Sequence, residues 1–173
     1  MATPIGHSIV GYTLARSAGL RSRPALALAI GAANLPDVDF ALGYVANGDV
    51  YSLHHEVITH RPVFPLLVGI AAGVGSAAVS LVTGRGPSPW RALRTGALAA
   101  TLVGSHLAMD PLPLPYDSFS PKPERFWPII ASEAWNAVID IAVYGGMAMA
   151  VLSRENADAR SGNGKVVANG ATA

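Results

Sequence analysis

From Val63 to Thr83 the chain carries no charged residue. At 1.5 Å per residue a helix over such a run is about 31 Å long, which matches the ~30 Å hydrocarbon layer of a bilayer. A helix that is apolar all round must be buried on every side, in a large protein core or in lipid. A 173-residue chain suits one domain, and only 13% of its residues are charged. An ordinary soluble domain carries about 25%, so there is too little charge here to coat a water-exposed surface. Mean hydropathy is +0.37. These observations place the long run in a membrane.

Two further long apolar segments follow, 91–109 and 128–152, the last interrupted by Glu133, Asn136 and Asp140. Ahead of them lie two shorter apolar stretches, roughly 7–20 and 25–35. Both are below the ~20 residues a span requires. Arg16 interrupts the first, and Pro24 can open the second at its first position. Pro36 stops the second. The expected architecture is all-α: a multi-pass transmembrane helical bundle of three long apolar helices plus a short N-terminal helical hairpin, interfacial or buried in protein. Residues 43–62 form the most polar internal stretch, and 111–127 is Pro-rich and polar, a loop by composition. Thr59 is a candidate N-cap for the helix from 63, with Pro62 in its first turn. Residues 1–152 read as one membrane-embedded unit. The Gly-, Asn- and Ala-rich tail 153–173 has no apolar period and reads as disordered. The first residues lack the basic stretch and apolar core of a signal peptide, so membrane targeting is expected from the body of the chain.

Several chemistries are excluded. There is no cysteine, hence no disulfide, thiolate metal site or cysteine nucleophile. A net charge of +1 gives no nucleic-acid footprint. Histidine is the conspicuous residue. Three of five lie in His54-His55-Glu56-Val57-Ile58-Thr59-His60, at the mouth of the long apolar run. Neutral imidazole is the commonest metal ligand among side chains. His106 and Asp110 are four apart, on one helix face, where they suit either a shared ion or a helix-end hydrogen bond. His55 and His60, five apart, would diverge by roughly 140° on a helix, but a loop can aim both inward. Asp37 and Asp39 follow the Pro36 stop and suit either a capped turn or oxygen ligation.

Helix direction ties these residues together. If each helix crosses or half-crosses the bilayer, the hairpin leaves His7 and Asp37/Asp39 at one end. The helix from 63 departs from His60, and the helix from 91 returns to deliver His106 and Asp110 to that same end. Four of five histidines and three of seven aspartates thus converge on one membrane face. Nine of the twelve basic residues, from Arg16 to Lys165, fall at the opposite face, leaving Arg61, Lys122 and Arg125 with the histidines. Cytoplasmic loops carry the excess of Lys and Arg, which puts the histidine face outside. An imidazole and carboxylate set without thiolate suits zinc, and also manganese or iron. A catalytic zinc keeps a position open for water and activates it. Glu133 and Asp140 are costly in lipid. They read as partners that orient ligand histidines, as additional ligands, or as a helix–helix hydrogen bond.

The ordered set His7-x3-Gly11, Leu35-Pro-Asp37-x-Asp39, His55-x3-Thr59-His60, His106-x3-Asp110 and Trp127-Pro128 resembles the predicted membrane-bound metal-dependent hydrolases of the YdjM type, over about residues 5–130. That family is in turn distantly similar to zinc-dependent phospholipase C and to fungal single-strand nucleases. The resemblance implies a multi-pass inner-membrane protein, with metal-ligand roles on His7, Asp37, His55, His60, His106 and Asp110. Glu56 and Arg61 stand where the family often has Arg and Ser. A second His-x3-Asp pair is absent, which points to one or two ions rather than three. The expected function is metal-dependent hydrolysis of a phosphoester, in a small, lipid or lipid-linked substrate, by a metal-activated water. Asp39 or Glu56 is the expected general base, and Arg61 or Lys122 would meet the phosphate charge. The alternative is a non-enzymatic metal-binding or transport-related membrane protein.

Overall fold

A computed structural model of the chain describes residues 3–49, 52–53, 58–110 and 126–170; in the last of these segments side chains are described for 134–157. Six α-helices occur among them: α1 (Pro4–Ser17), α2 (Arg23–Ala33), α3 (Val38–Asn47), α4 (Val63–Val82), α5 (Pro89–Met109) and α6 (Phe126–Gly170). Single 3-10 turns at Leu35–Asp37 and Ile58–His60 precede α3 and α4. No strand is present among the described residues. The helix starts follow local chemistry. Thr3, Ser22 and Ser88 cap α1, α2 and α5 with their hydroxyl oxygens, and each helix has proline in its first turn, where the missing N–H costs nothing. Gly48 closes α3 in the left-handed conformation, φ 70°.

The all-helical expectation holds, and the candidate spans number two or three rather than clearly three plus a hairpin. Two helical stretches are long and apolar enough to cross a membrane, Val63–Val82 and Ala134–Ala157. A third arises if α2 and the Leu35–Asn47 segment, bent by 59° at their junction, form one broken span. The expected span at 91–109 does not qualify. Arg91 and Arg94 occupy its first turns, and the stretch free of Arg, Lys, Asp and Glu from Thr95 to Met109 is only 15 residues. Helix α3 runs into the polar stretch that begins at 43. Pro36 stops α2 as expected, but one 3-10 turn suffices to restart the helix, because Val38 to Val45 is apolar apart from Asp39. Thr59 does not cap α4; it lies in the 3-10 turn and its hydroxyl points elsewhere. Beyond Leu152, where sequence reading ends the ordered unit, α6 continues, and Glu155 on this continuation pairs with Arg16 and Arg21.

Packing is tightest where side chains are small. Helices α4 and α5 form an antiparallel hairpin, α1 packs on α2 and α6, and α2 on α5. A Cβ on Gly96 would sit 2.6 Å from the Gly69 carbonyl oxygen, so the two backbones touch at this crossing. Small residues that allow close backbone approach are the usual basis of helix association in lipid. Large apolar side chains point outward instead: Leu66, Ile70, Val74 and Leu81 are exposed, and Val82 is 89% exposed. Water would not tolerate that arrangement, whereas lipid does. The buried positions at the middle of the bundle include Ala15, Ala29, Leu102 and Val103. Polar groups are concentrated at one end.

Candidate metal centre

Five separate pieces of chain deliver the polar groups to that end. The second turn of α1 supplies His7, the 3-10 turn after α2 supplies Asp37, and the first turn of α3 supplies Asp39. The 3-10 turn before α4 supplies His60, and the last turn of α5 with its cap supplies His106 and Asp110. His7, His106 and Asp39 are at most 1% exposed. The side chain of His60 is 4% exposed, and those of Asp110 and Asp37 are partly buried. Ligand atoms of His7, Asp37 and His106 lie within 4.8 Å of one another, as do those of His60, His106 and Asp110.

The separations fall into two kinds. His60 Nδ1 is 2.8 Å from Asp39 Oδ2, and His106 Nδ1 is 2.9 Å from the Ala33 carbonyl oxygen. These are hydrogen bonds of ordinary length. The other four are longer: His106 Nε2 to Asp37 Oδ1 3.3 Å, His106 Nε2 to Asp110 Oδ2 3.4 Å, His7 Nε2 to Asp110 Oδ1 3.5 Å and His60 Nε2 to Asp110 Oδ2 3.6 Å. Charge-assisted N–H···O bonds close to about 2.7–2.9 Å. Two ligands on one tetrahedral zinc, with bonds of about 2.0–2.2 Å, stand roughly 3.3–3.6 Å apart. The longer set has the spacing of ligands around an ion.

Tautomers point the same way. A carbonyl oxygen only accepts, so His106 carries its proton on Nδ1. The Asp39 carboxylate fixes Nδ1–H on His60 in the same manner. In the neutral rings both Nε2 lone pairs then face Asp110 oxygens, acceptor against acceptor. Nothing satisfies that arrangement except a proton or a cation placed between them. Both ring nitrogens of His7, Nε2 of His106 and both Asp110 oxygens are buried without a hydrogen bond. Buried polar atoms are almost always paired, so this set is short of a positive centre. Burial pushes the Asp110 carboxyl up, but the His7 contact and the neighbouring His106 and His60 rings outweigh it and hold it below the ordinary carboxylate range. The His7 and His106 rings stack, 3.6 Å between centroids and 13° between planes, which brings the two imidazoles to one side of the cluster.

The sequence profile of the YdjM inner membrane protein family matches residues 1–169. The chain belongs to the YdjM inner membrane protein family. No curated protein and no solved structure matches it. Membership places the chain in the inner membrane, in agreement with the two or three candidate spans of the fold.

Of the expected ligands in this YdjM-family chain, His7, Asp37, His60, His106 and Asp110 come together. His55 and Glu56, with His54, lie outside the described residues, as do Lys122 and the side chains of Glu133 and Trp127. Asp39 is at the cluster too, behind His60 rather than facing Asp110: its Oδ2 takes His60 Nδ1–H and lies 3.4 Å from the Thr59 hydroxyl. Arg61 is exposed beside His60. Asp140 serves the helix–helix hydrogen bond that was one of its three expected roles. Its Oδ2 accepts from Thr3 N at 2.7 Å and Thr3 Oγ1 at 2.6 Å. It thereby holds α1 by its first turn, four residues before His7. A Cβ on Gly6 would lie 2.6 Å from that same oxygen, so Gly6 makes room for the clamp. Sequence reasoning missed Thr3 and the Ala33 carbonyl. The Thr3-Pro4 start of α1 signals a helix cap, but no local pattern links it to an acid 137 residues away.

Proposed function

We propose that the protein is a membrane-bound metal-dependent hydrolase acting on a phosphoester, in a small, lipid or lipid-linked substrate. The observation that carries this reading is the set of four N···O separations of 3.3–3.6 Å among His7, Asp37, His60, His106 and Asp110, too long for charge-assisted hydrogen bonds and right for ligands of a divalent cation. Zinc fits the donor set best, with manganese or iron as alternatives. Such an ion supplies Lewis acidity and an activated water at neutral pH.

The residues have separable roles in this reading. His7, His60 and His106 offer Nε2, and Asp37 and Asp110 offer carboxylate oxygens. Because His106 has Nδ1 committed to Ala33, it would hold an ion through Nε2. Asp110 has two oxygens turned to different rings, Oδ1 to His7 and Oδ2 to His60 and His106, and either would be available as a ligand. Asp39 fixes the ring of His60, which favours Glu56 over Asp39 as the general base. Arg61, exposed next to His60, is placed to meet a phosphate charge. The excess of Arg and Lys at the far end supports an extracytoplasmic position for the cluster in this reading.

The test is metal analysis and hydrolysis together. Detergent-purified protein is expected to hold one or two equivalents of zinc and to cleave a generic phosphodiester or a phospholipid. Both properties are expected to fail in Asp110→Asn and His60→Ala. Metal bound without hydrolysis of any phosphoester would favour a metal-binding or transport role. Absence of stoichiometric metal in folded wild-type protein would remove the proposal.

A further inference from the structure

At the end opposite the histidines a cavity of about 470 Å³ has Leu20, Ser88, Trp90, Arg91, Arg94 and Leu98 among its lining residues. It sits between the α1–α2 connection and the start of α5. Arg91 precedes His106 by 15 residues of continuous helix, so the cavity is ~22 Å from the metal centre along α5. Arg91 and Arg94 are three apart and share a helix face. Among the described residues neither makes an ion pair, and Arg91 reaches only the Ser80 hydroxyl, at 3.4 Å. The neighbouring carboxylate, Glu155, is already taken by Arg16 and Arg21. Two arginines thus line one cavity with no carboxylate paired to either among the described residues. Leu20 and Leu98 supply apolar surface, Ser88 and Thr95 add hydroxyls, and the exposed indole of Trp90 completes the lining.

We propose that this cavity binds the headgroup of an anionic phospholipid, with Arg91 and Arg94 on the phosphate and the Leu20–Leu98 wall against the glycerol and upper acyl chain. Two features select lipid over free phosphate. One is the mixed lining, which joins two arginines to leucine and tryptophan side chains. The second is location: Trp side chains favour the membrane–water interface, where a lipid phosphate lies, and basic side chains near anionic lipid gain on the order of fivefold in affinity each. The proposal requires membrane embedding only, and is independent of metal or hydrolysis at the other end.

The experiment uses the full chain carrying Trp127→Phe and Trp135→Phe, which leaves Trp90 as its one indole, reconstituted in phosphatidylcholine vesicles. Brominated phosphatidylglycerol or brominated phosphatidylcholine is added at matched low mole fraction, and quenching of Trp90 is read. The expected result is stronger quenching by the anionic lipid. Arg91→Gln/Arg94→Gln is expected to abolish the difference, Arg85→Gln to retain it, and millimolar inorganic phosphate to leave it unmoved. Because the tryptophan replacements could impair folding, native mass spectrometry of the unmodified chain, with and without Arg91→Gln/Arg94→Gln, reads retained phosphatidylglycerol independently. Equal quenching by the two lipids, equal loss in Arg85→Gln, or displacement by inorganic phosphate would overturn the assignment. Retention of phosphatidylglycerol by the double arginine variant would overturn it too.

Discussion

Asp39 offers the sharpest test of the proposed metal centre, because its Oδ2 meets His60 Nδ1, the ring nitrogen turned away from Asp110. Its Oδ2 accepts from His60 Nδ1 at 2.8 Å inside a fully buried site. That bond fixes which nitrogen of His60 carries the proton and turns Nε2 toward Asp110. Loss of such an orienting partner lowers metal affinity about 10–100-fold, or roughly 1.4–2.8 kcal/mol. Asp39→Ala is expected at the upper end of that range, since the imidazole loses its acceptor and gains freedom to rotate. Asp39→Asn is expected near the lower end, since an amide oxygen still accepts from Nδ1–H but carries no charge. The assay is zinc competition against a chromophoric chelator in detergent, with the thermal stability of the metal-free protein measured beside it. If Asp39 acted only on folding, both substitutions would lower metal-free stability and leave affinity unchanged in the folded fraction. Affinity equal to wild type in folded Asp39→Ala would refute the orienting role, and with it the reading of the 3.3–3.6 Å separations as ligand spacing around a fixed His60.

Other perturbations separate scaffold from site. Asp110→Asn keeps the shape of the side chain but removes the charge opposite three imidazoles; zinc content by elemental analysis is expected to fall below one equivalent while the helical circular dichroism is retained. Asp140→Ala leaves the Thr3 N–H and hydroxyl without their acceptor, a cost of about 1–3 kcal/mol for a buried unsatisfied group, read as lowered thermal stability in detergent with smaller loss in Asp140→Asn. Gly96→Ala places a methyl 2.6 Å from the Gly69 carbonyl oxygen. Forcing the α4–α5 crossing apart is expected to cost about 1–3 kcal/mol, and wild-type stability in that variant would show that the two helices do not touch there.

Much of the site was legible because its residues lie at helix ends, and helix direction is readable from apolar runs and prolines. His60 stands three residues before the long run and His106 four before a helix stop, so an alternating path of helices had to bring them to the same side. The i, i+4 spacing of His106 and Asp110 likewise fixed a shared face, and their facing atoms are 3.4 Å apart. Periodicity says which residues share a face but is silent on what that face meets. Hence the Asp39–His60 bond, between residues 21 positions apart, was open to any role a carboxylate can play. The Thr3–Asp140 clamp was legible only as one of three options for an acid in lipid. The span count, two or three rather than clearly three plus a hairpin, is open for a related reason. Apolar length was read for each helix alone, whereas α5 holds Arg91 and Arg94 at one end and His106 at the other, and is covered by α2 and α4 rather than by lipid on all sides. A helix sheltered by its neighbours needs less hydropathy than one that meets lipid all round, and it is this sheltered helix that carries two of the five clustered donors. The polar groups that disqualify α5 as a span by composition are those that give each end of the bundle its chemistry: a cluster of imidazoles and carboxylates at its last turn and two arginines, without an ion pair among the described residues, at its first.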